Sequence, residues 1–437
     1  MGKALSSFSK ERVIPRHGPG AVATSERGVE KWDFKRKFLK VHNLFPYYDY
    51  FVVGRGHLFD ELRWYKSLVP MDSATAKVVL VPKDSRGPRL ISEEPLEIQY
   101  VQQGVWRELK NLLESHPLTR GHVNFTSQEV NQRLALRASR NERWATLDMK
   151  DASDRVSTVL VEQLFSLVPR LKDLLLAARS ESTVLPGGKT IALHKFAPMG
   201  SAVCFPVESI VHFALAVAAI ASAEGKTIQW ARRRVFVYGD DLIVATQYVH
   251  HVLEAFPRYG LRFNEDKCFL HGPFRESCGM DAFLGRNIAP IRWRHTWPSS
   301  RDAISGLRFC AFGSMLFQHG YLCAAHLVWD RVEEMMGIKL PTVPLRMNVG
   351  YLSRQTYQPR AHTPHRVRNN RAFHRLEHQA TSVCIREEKG DLKPWSRLLR
   401  FVLYKGKPSH GTLFSDGASM GAPTLPLRRS NARAVRR

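Results

Sequence analysis

With 437 residues, 44% of them apolar, the chain holds enough material for a sizeable core in two or three lobes, which excludes a disordered or disulfide-stapled miniprotein. Lys and Arg total 65 against 40 Asp and Glu, a formal charge of +25. That excess favours a polyanionic partner, nucleic acid before acidic membrane, although a well-solvated basic surface has the same composition. The six cysteines (Cys204, Cys268, Cys278, Cys310, Cys323, Cys384) form neither a CxxC pair nor a Cys/His zinc spacing, and read as reduced, mostly buried cytosolic thiols.

The opening stretch, Met1–Arg12, lacks the apolar core of a signal peptide. Met1-Gly2 with Ser6 fits a myristoylation pattern that only a eukaryotic host would read. To about Ser73 the chain is mixed and basic, with a Gly-rich loop at Arg16–Thr24. Ala76–Pro95 reads as strand, basic turn, strand, and Leu96–Ser115 as a helix with apolar residues at three- and four-residue steps. Asn124-Phe125-Thr126 is a glycosylation sequon without meaning unless the chain is secreted. Trp144–Val168 predicts a short strand ending at Asp148, a polar loop, and a helix for which Asp151 or Ser153 is available as cap.

Pro186–Thr190, "PGGKT", looks like the end of a phosphate-binding loop. Its required first glycine would fall at Thr183, however, and strand-like sequence follows, so it reads as a hairpin turn. Ile210–Ala223 is the longest apolar run; a bilayer span needs about 20 residues, so it reads as a buried helix. Val235–Gln247, "VFVYGDDLIVATQ", reads as two buried strands with Asp240 and Asp241 at their turn. A helix around His250–Tyr259 and at least two more strands follow to about Ile291. Beyond about Ser300 the pattern is mainly helical, then basic and His-rich over Arg354–His378. The arginine-rich end, Leu427–Arg437, reads as unordered.

The order of elements is that of an α+β protein in which the strand end at Asp148 can lie beside the Asp240-Asp241 turn. An unpaired buried carboxylate costs several kcal/mol, so the turn is either solvated or met by a cation. Two divalent ions about 3.5–4 Å apart need such a carboxylate group, since Mg²⁺ prefers oxygen ligands. Taken singly, Asp240-Asp241 also suits a plain turn and Asp148 a helix entry.

"LDMKDASDRVS", "MGSAVCFPVES", "VYGDDLIV", "NEDK" and "GPFRESCG" occur in an order and spacing that resemble viral RNA-dependent RNA polymerases. They most resemble the replicase catalytic (beta) subunit of single-stranded RNA bacteriophages of the levivirus type. "RHGPGA" and "KVVLVPKDSRGPRLISEEP" look like that family's N-terminal signatures, so the resemblance covers roughly Ile14 to Pro290. "FRESCG" is its most family-specific piece and the GDD tripeptide its least.

The resemblance implies a right-hand polymerase of palm, fingers and thumb. An antiparallel palm sheet would carry the GDD hairpin, and the thumb would be mainly helical. Residues 1–143 would then be the N-terminal region and fingers, with the basic motif at 76–95. The palm would span 144–299, with motifs at 148–154, 199–209, 238–241, 264–267 and 272–279, and 300–437 would be thumb and basic tail. Asp148 and Asp240 match the family's metal-binding aspartates, Asp241 assists them, and the implied cofactor is a pair of Mg²⁺ ions, with Mn²⁺ as a substitute.

Lys267 matches the lysine that protonates departing pyrophosphate. Asp154 matches the reader of the ribose 2′-hydroxyl, with Ser201 as co-reader, and Gly200 and Ser201 leave room for a nucleotide or template backbone. Lys83 and Arg89, with Lys77 and Arg86 as weaker candidates, match the triphosphate-holding motif; alone they equally fit a solvated hairpin. Arg275 matches a residue near the primer end where it would touch phosphate, with Glu276 orienting it and Cys278 packed.

The implied partners are template RNA and ribonucleoside triphosphates, and the family adds host elongation factors Tu and Ts and a large RNA-binding ribosomal protein. The implied location is the cytoplasm of a bacterial host. Two departures stand out. Family members carry more chain ahead of the first palm motif than the 147 residues here, and serine replaces asparagine in "MGS". A reverse transcriptase sharing the palm, and a non-catalytic basic RNA-packaging protein, remain as alternatives.

Overall fold

The computed structural model describes residues 2–52, 58–84, 87–293, 296–344, 352–357, 367–373, 375–383, 399 and 427–433. The chain divides into two compact units, Met1–Ala289 with Gly390–Ala418, and Pro290–Lys389 with Ser419–Arg437. Mixed α and β structure is present in both.

The first unit is organised by a three-stranded antiparallel sheet in which Asp241–Ala245 lies between Trp144–Asp148 and Val235–Tyr238. These runs are rich in Val, Ile and Leu, which suit a pleated surface buried on both sides, and Leu242, Ile243 and Val244 are completely inaccessible. Tyr238 pairs with Asp241, leaving Gly239 and Asp240 as a two-residue turn. Gly239 has φ +66°, the left-handed region that such turns require and glycine adopts without penalty.

Behind the sheet runs the helix Cys204–Ala223. It begins at Cys204 rather than Ile210 and is apolar nearly all round, as a fully buried helix must be. At that length it is apolar enough to cross a membrane, but most of it is buried inside the protein. Leu96–Ser115 forms the expected helix and adds Leu96, Val101, Val105, Leu109 and Leu113 to the same core.

A second sheet takes the order Gly87–Glu93, Thr75–Asp84, Ser182–Val184, Thr190–Ala192. "PGGKT" is its hairpin turn, with Leu185 N–H donating to the Lys189 carbonyl at 2.9 Å and Gly188 at φ +83°. The first helix after Asp148 is the single turn Ala152–Arg155, with Asp151 at its N-cap position but without a capping hydrogen bond from its side chain. Ser157 accepts from the Leu160 amide at 3.1 Å and caps the next helix, Thr158–Leu164. A third sheet pairs Phe274–Ser277 with Met280–Phe283 and then Arg286–Asn287.

In the second unit, Ala303–Gln318 packs on Leu322–Met336 around the buried Trp329, Phe309 and Phe317. Asp302 caps the first helix by accepting from the Ile304 and Ser305 amides at 3.1 and 3.0 Å. The mainly helical expectation fails after Met336. Thr342–Pro344 pairs with Arg354–Thr356, and Val367–Asn370, Arg375–Val383 and Leu427–Arg433 form an antiparallel sheet. The arginine-rich end, expected to be unordered, thus supplies a strand. Its partner lies more than forty residues earlier, so no local hydrophobic period marks the pairing. Cys204, Cys278 and Cys310 are buried free thiols, Cys268 is half-buried and Cys323 is exposed, while Cys384 lies outside the described residues.

Gly104, inside the helix Leu96–Ser115, faces the main chain of Ile14, whose carbonyl oxygen would lie 2.7 Å from an added Cβ. In an open helix Gly→Ala gains about 1 kcal/mol. Here the contacting atoms are backbone and cannot swing away, so Gly104→Ala is expected to lose about 1–3 kcal/mol, read as a lower denaturant midpoint.

Candidate active site

The strand register brings the sequence-predicted carboxylates together. Asp148 is directly opposite Asp241 across the ladder, and Asp240 is exposed at the adjoining turn. Each of the two paired carboxylates has its own anchor. Asn264 Nδ2 donates to Asp148 Oδ2 at 2.9 Å, while its amide donates to the Asp148 carbonyl at 2.9 Å. The Cys278 amide donates to Asp241 Oδ2 at 3.1 Å, and Ser277 Oγ to Oδ1 at 3.4 Å. Cys278 reaches that position in a two-residue turn with Gly279, both at positive φ (+51° and +73°). Its thiol is buried, and burial and Asp241 push it up, which disfavours the thiolate.

The electrostatics follow from this crowding. Burial first, and then Asp240, push the Asp241 carboxyl up to about 6, with Asp148 adding to the effect. Burial likewise raises Asp148; Asn264 and Lys267 oppose the shift, while Asp240 and Glu276 reinforce it. Lys267 Nζ lies 3.3 Å from Glu276 Oε1. Burial works against its charge, but Asp148 and Glu276 outweigh that and hold the ammonium above its ordinary range.

The helix Cys204–Ala223 closes the site from behind. The Gly239 amide donates to Ser209 Oγ at 3.1 Å, and the Gly239 carbonyl meets His212 Nδ1 at 3.0 Å. Glu208, the single carboxylate on that helix, is pushed up to about 8 by burial, with Asp240 and Asp154 adding to the shift. Sequence reasoning assigned nothing to Glu208, although a lone acid in an otherwise apolar helix was a visible signal. Asn264, Ser277 and Lys195 were also missed. They act through hydrogen bonds between segments distant in sequence, and nothing local marks them.

Other predicted residues are placed differently. Asp154 is ion-paired with Lys195. Gly200 has φ +115° and an added Cβ would lie 2.2 Å from the Ser92 carbonyl oxygen, so the close neighbour it admits is the chain's own strand. Ser201 is buried, with its hydroxyl facing the fully buried Glu94 together with Ser180 and Gln102. Lys83, Arg89 and Lys77 are exposed on their hairpin, and among the described residues no hydrogen bond or ion pair joins Lys83 or Arg89 to the aspartates. Arg86 lies outside the described residues.

Arg275 is a correction. Its side chain is 0% exposed, and its guanidinium donates to the carbonyls of Trp144, Gly272 and Phe274 at 2.7 Å each, of Leu270 at 3.0 Å and of His271 at 3.4 Å. It ties strand to loop and is not presented to a phosphate. Glu276 does not orient it, but pairs with Lys267 instead.

Among the described residues no three His, Cys, Asp or Glu side chains form a ready-made metal cage. The donor set nevertheless suits a hard cation. It consists of carboxylate oxygens, it repels itself without positive charge, and Asp240 and one oxygen of Asp148 are not taken by the anchors described above. Burial, with the repulsion added to it, has a measurable cost. A folded carboxyl raised from 3.8 to about 6 loses stability as pH rises through that window and has lost all of it above about 7. In divalent-free buffer, Asp241→Asn is therefore expected to raise unfolding stability at pH 7.5 by about 1–3 kcal/mol, the gain shrinking below about pH 6 in denaturant titrations.

A protein-family model described as "RNA replicase, beta-chain" matches residues 35–304. The RNA-directed RNA polymerase subunit beta of Qbeta virus (strain MX1) is 34% identical over 228 residues, 52% of this chain and 37% of that protein. The corresponding subunit of Enterobacteria phage SP is 36% identical over 215 residues, 49% and 35% of the two chains. The RNA-directed RNA polymerase beta chain of Escherichia phage MS2 is 34% identical over 215 residues, 49% and 37%. The matches thus span little more than a third of these relatives' length. Among solved structures, the RNA-dependent RNA polymerase of a human picorbirnavirus aligns over 60% of this chain and 57% of its own, with 13% identity and a TM-score of 0.41. With the family model covering more than half of its length, and the paired aspartates inside the matched region, this chain belongs to the RNA replicase beta-chain family.

Proposed function

We propose that the chain is an RNA-directed RNA polymerase that copies the genome of a positive-strand RNA phage. The observation that carries this reading is the register placing Asp148 opposite Asp241, beside the Asp240 turn. Family membership supports it. In this reading the three-stranded sheet is the centre of a palm, the sheet bearing Lys83 and Arg89 belongs to the fingers, and residues 300–437 contain the thumb.

Asp148 and Asp240 would hold Mg²⁺, with Asp241 completing the negative cluster, and Mn²⁺ would fit the same oxygens. Magnesium often uses one or two carboxylates plus substrate phosphates rather than a full protein cage, which suits a set of this kind. When bound, it makes the primer 3′-hydroxyl a better nucleophile and offsets the charge of the triphosphate. The new bond joins the primer 3′-oxygen to the α-phosphorus, and the bond to the bridging oxygen of pyrophosphate breaks.

The chain's own residues supply the rest. Lys267, charged and next to Asp148, is positioned to give a proton to the departing pyrophosphate. Asp154, fixed by Lys195, is the reader of the ribose hydroxyl. Lys83 and Arg89 are the long-range cationic hold on the triphosphate, being exposed side chains that, among the described residues, no carboxylate of the cluster neutralises. Template RNA and ribonucleoside triphosphates are the substrates. Host elongation factors Tu and Ts and a large RNA-binding ribosomal protein are candidate partners in a bacterial cytoplasm.

Template-directed incorporation of labelled ribonucleotides with Mg²⁺ tests this, with and without the elongation factors. Asp240→Asn is expected to lower turnover at least about a hundredfold, as loss of a principal electrostatic group does, and a chelator to abolish it. Equal incorporation by wild type and variant would sink the assignment. A silent wild type that still binds RNA would favour a packaging protein.

A further inference from the structure

Asp148 and Asp241 have hydrogen-bond donors that fix their carboxylates; Asp240 has none among the described residues. Its position is set through the residue before it. Gly239 lies outside the strand ladder, so its amide and carbonyl would be orphaned in a buried place unless something met them.

One face of the helix Cys204–Ala223 meets both. Residues 205, 209 and 212 recur at steps of four and three, and so project from the same side. Ser209 Oγ donates to the Phe205 carbonyl at 2.8 Å, which spends its only hydrogen and leaves its lone pairs to accept from the Gly239 amide at 3.1 Å. His212 Nδ1 lies 3.0 Å from the Gly239 carbonyl, an acceptor only, so the ring proton sits on Nδ1. His212 is completely buried, its Nε2 has no partner among the described residues, and its ring stacks on Phe256 at 6.0 Å between centroids. The Phe205 ring leaves no room for a side chain at 239, since an added Cβ would be 2.1 Å from it.

We infer that Ser209 and His212 are positioning residues that clamp the Gly239 peptide to the helix and thereby hold Asp240 beside Asp148 against their mutual repulsion. The clamp itself stands on these hydrogen bonds; its kinetic consequence rests on the polymerase reading above. Neither residue touches substrate in this account. They act through the main chain of the turn.

The test compares Ser209→Ala and His212→Leu, which remove the contacts, with Ser209→Thr and His212→Asn, which keep a hydroxyl and an N–H at the same place. Each is measured in the full chain for nucleotide incorporation over a Mg²⁺ series, for thermal melting, and for deuterium exchange of the 235–245 hairpin. The contact-removing variants are expected to lower kcat about 10- to 100-fold, the scale of an ångström-sized misplacement. They should raise the Mg²⁺ needed for half-maximal rate and speed hairpin exchange, with nucleotide KM within about twofold of wild type. The conservative variants should recover most of the rate.

Wild-type kcat in His212→Leu and Ser209→Ala, or conservative variants no better than disruptive ones at equal melting temperature, would overturn the inference. If the disruptive variants do not fold, His212→Gln, whose donor is displaced by one carbon, decides: an intermediate kcat supports the clamp and a wild-type kcat removes it. If wild type and Asp240→Asn are equally inactive, the polymerase reading fails on its own. The clamp is then judged by exchange, and an unchanged hairpin in Ser209→Ala and His212→Leu rejects it.

Discussion

Like charges facing each other across a β-ladder are normally selected against, yet here Asp148 and Asp241 are partners in register, with Asp240 at the next position. Much of the first unit can be understood as what is needed to keep that arrangement folded. The strands contribute Leu242, Ile243 and Val244, completely buried on both faces of the sheet, so packing from both sides fixes where the strands pair. The repulsion is thereby confined to one end of the sheet, next to the exposed Asp240 turn.

The support around that end is divided among segments that come together only in the fold. Asn264 and Lys267 come from the turn Glu265–Lys267 and the residue before it, Ser277 and Cys278 from the hairpin beyond, and Ser209 and His212 from the buried helix. Each supplies donors or positive charge to acceptors that would otherwise be in conflict. Glu208 adds a further acid behind the cluster, and its burial keeps its proton on. A cluster assembled in this way is held by its neighbours yet still repels itself, a strain that a bound cation would relieve.

The parts of this arrangement readable from sequence are those with a local signature. The Val- and Ile-rich runs around Asp240, the apolar helix ending at Ala223, and the hairpin at "PGGKT" announce themselves by period and turn chemistry. The motif order points to the family that the comparison then identifies. What was illegible depends on pairing at a distance. Arg275 reads as a basic residue near a reactive centre, and only the fold reveals the five carbonyls around it. Gly200 reads as space for a ligand, whereas the space is filled by Ser92. The polar strands after Met336 have no hydrophobic alternation to reveal them, because their pairing is carried by the backbone.

The burial of Arg275 also changes what the chain's charge means. Arg179 is similarly committed, donating to the carbonyls of Phe196, Leu193 and Lys195 at 2.7, 3.0 and 3.0 Å. Neither guanidinium faces a carboxylate in these contacts, so each counts fully in the formal +25 while lying where no phosphate can approach. A cationic side chain releases condensed counterions from a polyanion only where it can reach the phosphates. For an RNA-binding role of the kind proposed, the steepness with which salt would weaken binding measures the accessible fraction of the basic residues, and the composition overstates it.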